Sequence, residues 1–108
     1  MNIDKLKSNL SSKSEAELNE ILDQRDKQEF DAAWCQVYEV VDEVEVEIEE
    51  EELFKELSSS VLQHEIASYI IDDFIILKKA DEMGISPPFV IYMKECYEKG
   101  LVPNVWAS

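Results

Sequence analysis

Residues 30–57 read FDAAWCQVYEVVDEVEVEIEEEELFKEL, and the folding of this stretch decides how the rest of the chain is read. Its apolar positions Phe30, Trp34, Val37, Val41, Val44 and Ile48 recur at alternating intervals of four and three, the spacing of one face of an α-helix. Residues 43–49 also alternate glutamate with Val44, Val46 and Ile48, the pattern of a half-buried strand. Helix is the favoured reading, because the stripe enters in phase from Phe30 and no Gly or Pro marks a turn before it. A short strand at 43–49 is the alternative. Beyond Ile48 the stripe jumps to Leu53, Phe54 and Leu57, so the helix should break or rotate its face within 49–52.

Helical spacing and punctuation continue on both sides. Ile3, Leu6 and Leu10 share a face and are followed by the polar break Ser11-Ser12-Lys13. Ser14 with Glu17 has the form of a capping box, in which each side chain satisfies a backbone N–H left open by the first turn, and Leu18, Ile21 and Leu22 form the inner side of the helix it starts. Asp26 with Glu29 repeats the signature. Ser60 with Gln63 is placed to cap a helix running through Leu62, Ile66, Ile70, Asp73 and Leu77 toward Ala80. Gly84 fits the position after a last helical turn, with Ile85 returning onto Ala80. Ser86 before Pro87 reads as a cap with proline in the first turn. The last helix carries Phe89, Val90, Tyr92, Met93, Cys96 and Tyr97 and stops at Gly100, with Pro103 barring continuation. The expected fold is therefore all-α: a compact bundle of five or six amphipathic helices, one of them long and central, with residues 1–108 in a single domain.

The chain has 108 residues and a net charge of −15, with a pI near 4.2. A chain of this size folds to a surface of roughly 6,200 Å² and hides about 65% of what it exposes unfolded, enough for a core without staples. The acidity argues against direct contact with nucleic acid or an anionic membrane. Partners should be basic, or should be metal ions. The start lacks the apolar run of a secretory signal, and the apolar stretch 69–77 is interrupted by Asp72 and Asp73 and too short to span a bilayer, so a cytoplasmic protein is expected. Cys35 and Cys96 fall within helical patterns and read as buried, reduced thiols.

Between Lys27 and Lys55 there is no basic residue, and eleven carboxylates crowd the gap. Neighbours within 39–52 sit closer than the Debye length of roughly 8 Å, so physiological salt does not screen them from one another. On a helix Glu39 with Glu43, Glu43 with Glu47, and Glu47 with Glu51 would each repel. A solvated face is the ordinary meaning of such a run. The functional meaning is a negative ridge on a rigid rod that steers and seats a basic partner, formed by Tyr38, Glu39, Asp42, Glu43, Glu45, Glu47, Glu49, Glu50, Glu51 and Glu52. Tyr38 would supply an aromatic contact in the acidic rim.

Other chemistry is poorly served. A helix-loop-helix calcium site needs a glycine in its loop, and none precedes Gly84; a lone His64 and two distant cysteines do not make a zinc site. No metal or cofactor is expected. His64 with Asp72 or Asp73 is the one acid-base candidate, but Asp73 is in line with Ile66, Ile70 and Leu77, where a carboxylate bonded to a tyrosine or lysine is the commoner outcome. No activated nucleophile or phosphate loop is present, so the chain does not read as an enzyme. Trp34 and Phe89 are expected in the core. The expected function is an acidic helical interaction module that covers a basic surface of another protein, most concretely an immunity, antitoxin or anti-restriction type of inhibitor of a nucleic-acid-acting protein. The competing expectation is a self-associating structural protein, a homodimer with Val40, Val46 and Trp106 at its interface and charge that only solubilises it.

Overall fold

Six helices follow one another in the computed structural model, which describes residues 3–61 and 64–106: α1 (Ile3–Ser11), α2 (Glu15–Arg25), α3 (Gln28–Val41), α4 (Glu50–Ser58), α5 (Glu65–Met83) and α6 (Pro88–Glu98). The all-helical bundle read from periodicity is the observed architecture, and there is no strand among the described residues. The accessible surface is 6446 Å², close to what the size scaling requires of a well-packed chain.

The longest helix, α5, is the axis of the core. Ile66, Ala67, Ile70, Ile71, Phe74, Ile76, Leu77 and Ala80 are buried along it, which is why its sequence is apolar on nearly every side. α3 and α4 lie against α5, and α6 packs on α3 and α5. Leu6 and Leu10 of α1, Leu18 and Leu22 of α2, Phe30 and Val37 of α3 and Met93 and Tyr97 of α6 complete one apolar cluster. Its aromatic members meet edge to face: Phe30 with Phe89 at 5.1 Å, Phe74 with Tyr97 at 5.0 Å and Phe89 with Trp106 at 5.2 Å. The tail is docked through Trp106 and through Tyr92, whose hydroxyl accepts from the Asn104 and Val105 N–H groups.

Several local signatures act as expected. Ser14 and Glu17 form the reciprocal capping box of α2. Gly84 closes α5 at φ 70, with Ile85 N–H on the Ala80 carbonyl. Gly100 closes α6 at φ 76, with Leu101 N–H on the Cys96 carbonyl. This second glycine has a further constraint, since a Cβ there would stand 2.8 Å from the Lys5 backbone; α1 crosses too closely for any side chain.

The central stretch departs from its favoured reading. α3 stops at Val41, and residues 42–49 are neither helix nor paired strand, so the helix expected through Ile48 does not exist and the long central element is α5. Val44, Val46 and Ile48 are half-buried while Glu43, Glu45, Glu47 and Glu49 are exposed. The alternation thus belongs to an extended chain that lays one side over the bundle without a ladder partner. The physical reason is that continuing α3 would stack Glu39, Glu43 and Glu47 at repelling intervals beside the negative end of the helix dipole and leave Val46 in water.

Smaller corrections concern helix boundaries and the two thiols. Asp26 terminates α2 by donating its N–H to Leu22, so Lys27 precedes α3 and the box expected of Asp26 with Glu29 does not form. Pro87, not Ser86, precedes α6, with Pro88 in its first turn. α5 starts after His64 rather than at a Ser60 cap; the expected partner Gln63, with Leu62, lies outside the described residues. Cys35 is exposed on α3 and Cys96 half-buried, and both thiols are free.

Candidate partner-binding surface

The extended segment 42–49 leaves α3, passes over α5 and delivers the chain into the first turn of α4. Lys78 of α5 holds it, its Nζ donating to the Glu47 carbonyl oxygen at 2.5 Å. Ile48, Leu53 and Ile75 form the apolar base of an open hollow of about 1310 Å³ beside the segment. Around it stand Asp42, Glu45, Glu47, Glu49, Glu50, Glu52 and Glu56 against only Lys78 and Lys79, so the hollow is strongly negative. Two of the glutamates have a local reason to be there: Glu50 and Glu52 lie in the first turn of α4, where the helix dipole favours negative charge.

The electrostatics show how tightly the groups are drawn together. The hydrogen bond that a protonated Glu52 carboxyl donates to Glu49, and then the Glu49 charge, push Glu52 above its ordinary value. Tyr38 is raised first by the charge of Asp42, then by a hydrogen bond to it, and more weakly by Asp72. Asp72 is itself raised, chiefly by burial, then by Asp73 and by Glu50 of α4. The end of α3, the start of α4 and the middle of α5 therefore present one field.

The structure brings together Asp42, Glu45, Glu47, Glu49, Glu50 and Glu52 around the hollow, with Tyr38 beside Asp42. Glu39 and Glu43 are exposed but do not line it. Glu51 turns along α4 to Lys55 at 3.3 Å. The negative wall expected on one rigid rod is thus spread over a helix end, an extended segment and a helix start. Among the described residues Lys55 is the only base paired with any of the ten expected contact residues. Tyr38, 45% exposed, stacks on the half-buried Trp34 with ring centroids 5.6 Å apart, which holds it in place for contact.

Sequence reasoning missed the buried base at the centre of the bundle. Arg25, the only arginine of the chain, is 5% exposed. Its terminal nitrogens donate to Asp73 at 2.7 and 2.6 Å, and one also donates to the Pro103 carbonyl. Asp73, fully buried, further accepts from Trp34 Nε1 at 2.9 Å and from the Tyr97 hydroxyl at 2.5 Å. Burial alone would lower the Arg25 pKa; the bonds and charge of Asp73 outweigh it and hold the guanidinium protonated. Burial, then the Asp73 charge, push the Tyr97 hydroxyl well above its ordinary value. A carboxylate receiving four donors is a structural knot joining α2, α3, α5 and α6, not an acid or base for catalysis, and His64 is exposed at the far end of α5. The legible signal was that the one arginine sits in a chain whose other bases are all lysine.

Fold and surface together define a small, acidic, all-helical protein with an anionic face. The family model for immunity protein PIM1 matches residues 2–104, and the chain belongs to that family. No curated protein and no solved structure matches it. An immunity protein works by binding a partner toxin or effector. Among the described residues no helix is long and apolar enough to cross a membrane.

Proposed function

We propose that this immunity protein neutralises its toxin by covering a basic surface with the acidic face built from Tyr38, Glu39, Asp42, Glu43, Glu45, Glu47 and residues 49–52. The observation that carries this reading is the strongly negative field around the hollow at 42–56, where seven carboxylates face two lysines, next to a half-exposed aromatic side chain. Such a field accelerates encounter with a cationic surface and penalises partners of the wrong charge. A toxin acting on nucleic acid carries that kind of surface, because its substrate is anionic, and an inhibitor seated there blocks the substrate sterically and electrostatically. Inhibition by occlusion needs no chemistry from the chain itself.

The test begins with capture of the toxin on the immobilised chain and elution by rising salt. Reversing Glu43, Glu45 and Glu47 to Lys should slow association at least about tenfold at low salt and flatten its salt dependence. A control variant with Glu20, Asp23 and Glu82 reversed carries the same change in net charge away from the hollow. Equal association rates for the two variants would remove the surface from the mechanism.

A further inference from the structure

A second hollow, about 200 Å³, opens where α2, α3 and α5 meet. It is too small for a cofactor or drug-sized ligand and of a size for one side chain. Trp34 and Tyr69, both half-buried, are among its walls, and the exposed carboxylates of Asp26, Asp31 and Asp72 stand at its rim. Phe30 and Arg25, 2% and 5% exposed, are its most buried lining residues. The charge of that guanidinium is spent on Asp73, so the field left at the mouth is that of three aspartates.

We propose that this hollow is the anchor site for an arginine side chain of the toxin, a claim that rests on the reading of the protein as a toxin-neutralising module. A planar guanidinium stacks on aromatic faces and takes carboxylates in a fork, which an ammonium does not. The chain displays the same recognition internally: the Arg25 guanidinium lies 4.9 Å from the Phe30 ring centre and 5.4 Å from that of Tyr69 while its nitrogens bind a carboxylate. The hollow draws on α3 and α5, which also carry part of the larger acidic surface, and its wall residue Trp34 stacks on Tyr38. The diffuse field at 42–56 then governs encounter, and the hollow holds the complex once formed.

The probe is N-acetyl-arginine-N-methylamide, titrated into the isotope-labelled full chain and followed by amide shifts. Signals of Trp34, Cys35 and Tyr69 should move saturably with a dissociation constant of about 1–10 mM, the range of a single side-chain contact. The citrulline analogue, equal in shape but uncharged, should leave them in place, and the lysine analogue should bind several-fold more weakly. Asp31→Asn with Asp72→Asn, at two exposed positions, should weaken the arginine probe by about fivefold. With the captured toxin, that double variant should speed dissociation by about tenfold and leave association within about twofold. Shifts confined to 42–49, equal shifts with citrulline, or a double variant that binds the probe like the parent each overturn the anchor site. If the hollow ignores arginine while toxin association still depends on Glu43, Glu45 and Glu47, this inference fails alone. Toxin association indifferent to those three residues defeats the earlier reading instead.

Discussion

Replacing Asp73 by Asn separates two accounts of how this fold is held together. In the native chain the carboxylate is fully buried and receives both terminal nitrogens of Arg25, the Trp34 indole and the Tyr97 hydroxyl. Asn keeps the shape and one acceptor but removes the charge, leaving a guanidinium in the core with no counterion. Breaking a buried pair in this way costs about 3–5 kcal/mol. A chain of this length has a total stability on the order of 5–15 kcal/mol, so the variant should lose at least about 12 °C in Tm and a large part of its urea resistance. Arg25→Met is milder, about 2–3 kcal/mol, because the stranded carboxylate keeps two donors. The double variant, Arg25→Met with Asp73→Asn, removes both charges and should be more stable than Asp73→Asn alone. Urea melts of the parent, both single variants and the double variant complete the cycle. Additive losses, or an Asp73→Asn variant within about 1 kcal/mol of the parent, would refute the account of Asp73 as the counterion of an otherwise uncompensated charge.

Other consequences are more local. Gly100→Ala should destabilise by about 2–4 kcal/mol, because its Cβ meets the Lys5 backbone at 2.8 Å on top of the positive φ, whereas Gly84→Ala, with open space around it, should cost only about 1 kcal/mol in urea melts. The raised carboxyls of Asp72 and Glu52 bind protons more tightly folded than unfolded, so their contribution to stability grows as pH falls from about 6 toward 4; Glu17, lowered by its capping bonds to Ser14, acts oppositely in the same window. Asp72→Asn should therefore be neutral or slightly stabilising at pH 7 and should flatten the acid rise in a pH series of melts. The raised Tyr97 hydroxyl contributes stability that is intact below about pH 10 and is lost as pH climbs beyond it, and Tyr97→Phe should remove that alkaline component.

The reading of residues 30–57 shows where sequence stops specifying. Val44 and Ile48 are separated by four, an interval that satisfies both a helix face and one side of an extended chain, so neither residue decides between them. Val46 does: on the helix it faces water, and in the extended segment it lies half-buried with its neighbours. That residue, together with carboxylates stacking toward the negative end of α3, carried the decisive information, but its weight depends on α5 being present beneath the segment. The helices, their main turns and the capping box of α2 rest on local spacing and were legible. Asp73 on the buried side of α5, bonded to a tyrosine, was legible too; its pairing with Arg25 was not, because the two are far apart in sequence and meet only after the bundle closes.

That knot bears on the binding surface as well as on stability. Trp34 donates to Asp73 and stacks on Tyr38, Arg25 forms a wall of the smaller hollow, and Asp72 adjoins Asp73 on α5 while feeling the charge of Glu50. Most of the acidic face is carried by helix ends and by a segment without a ladder, elements that repel one another and gain little from pairing among themselves. The knot at Asp73 ties α3 to α5, two of the three helices from which that face projects. Loosening the knot should therefore blur the anionic surface before it unfolds the chain. Arg25→Met, under conditions where it remains folded, should slow toxin association even though no charge on the surface has changed; an unchanged association rate would show that the face holds its shape without this support.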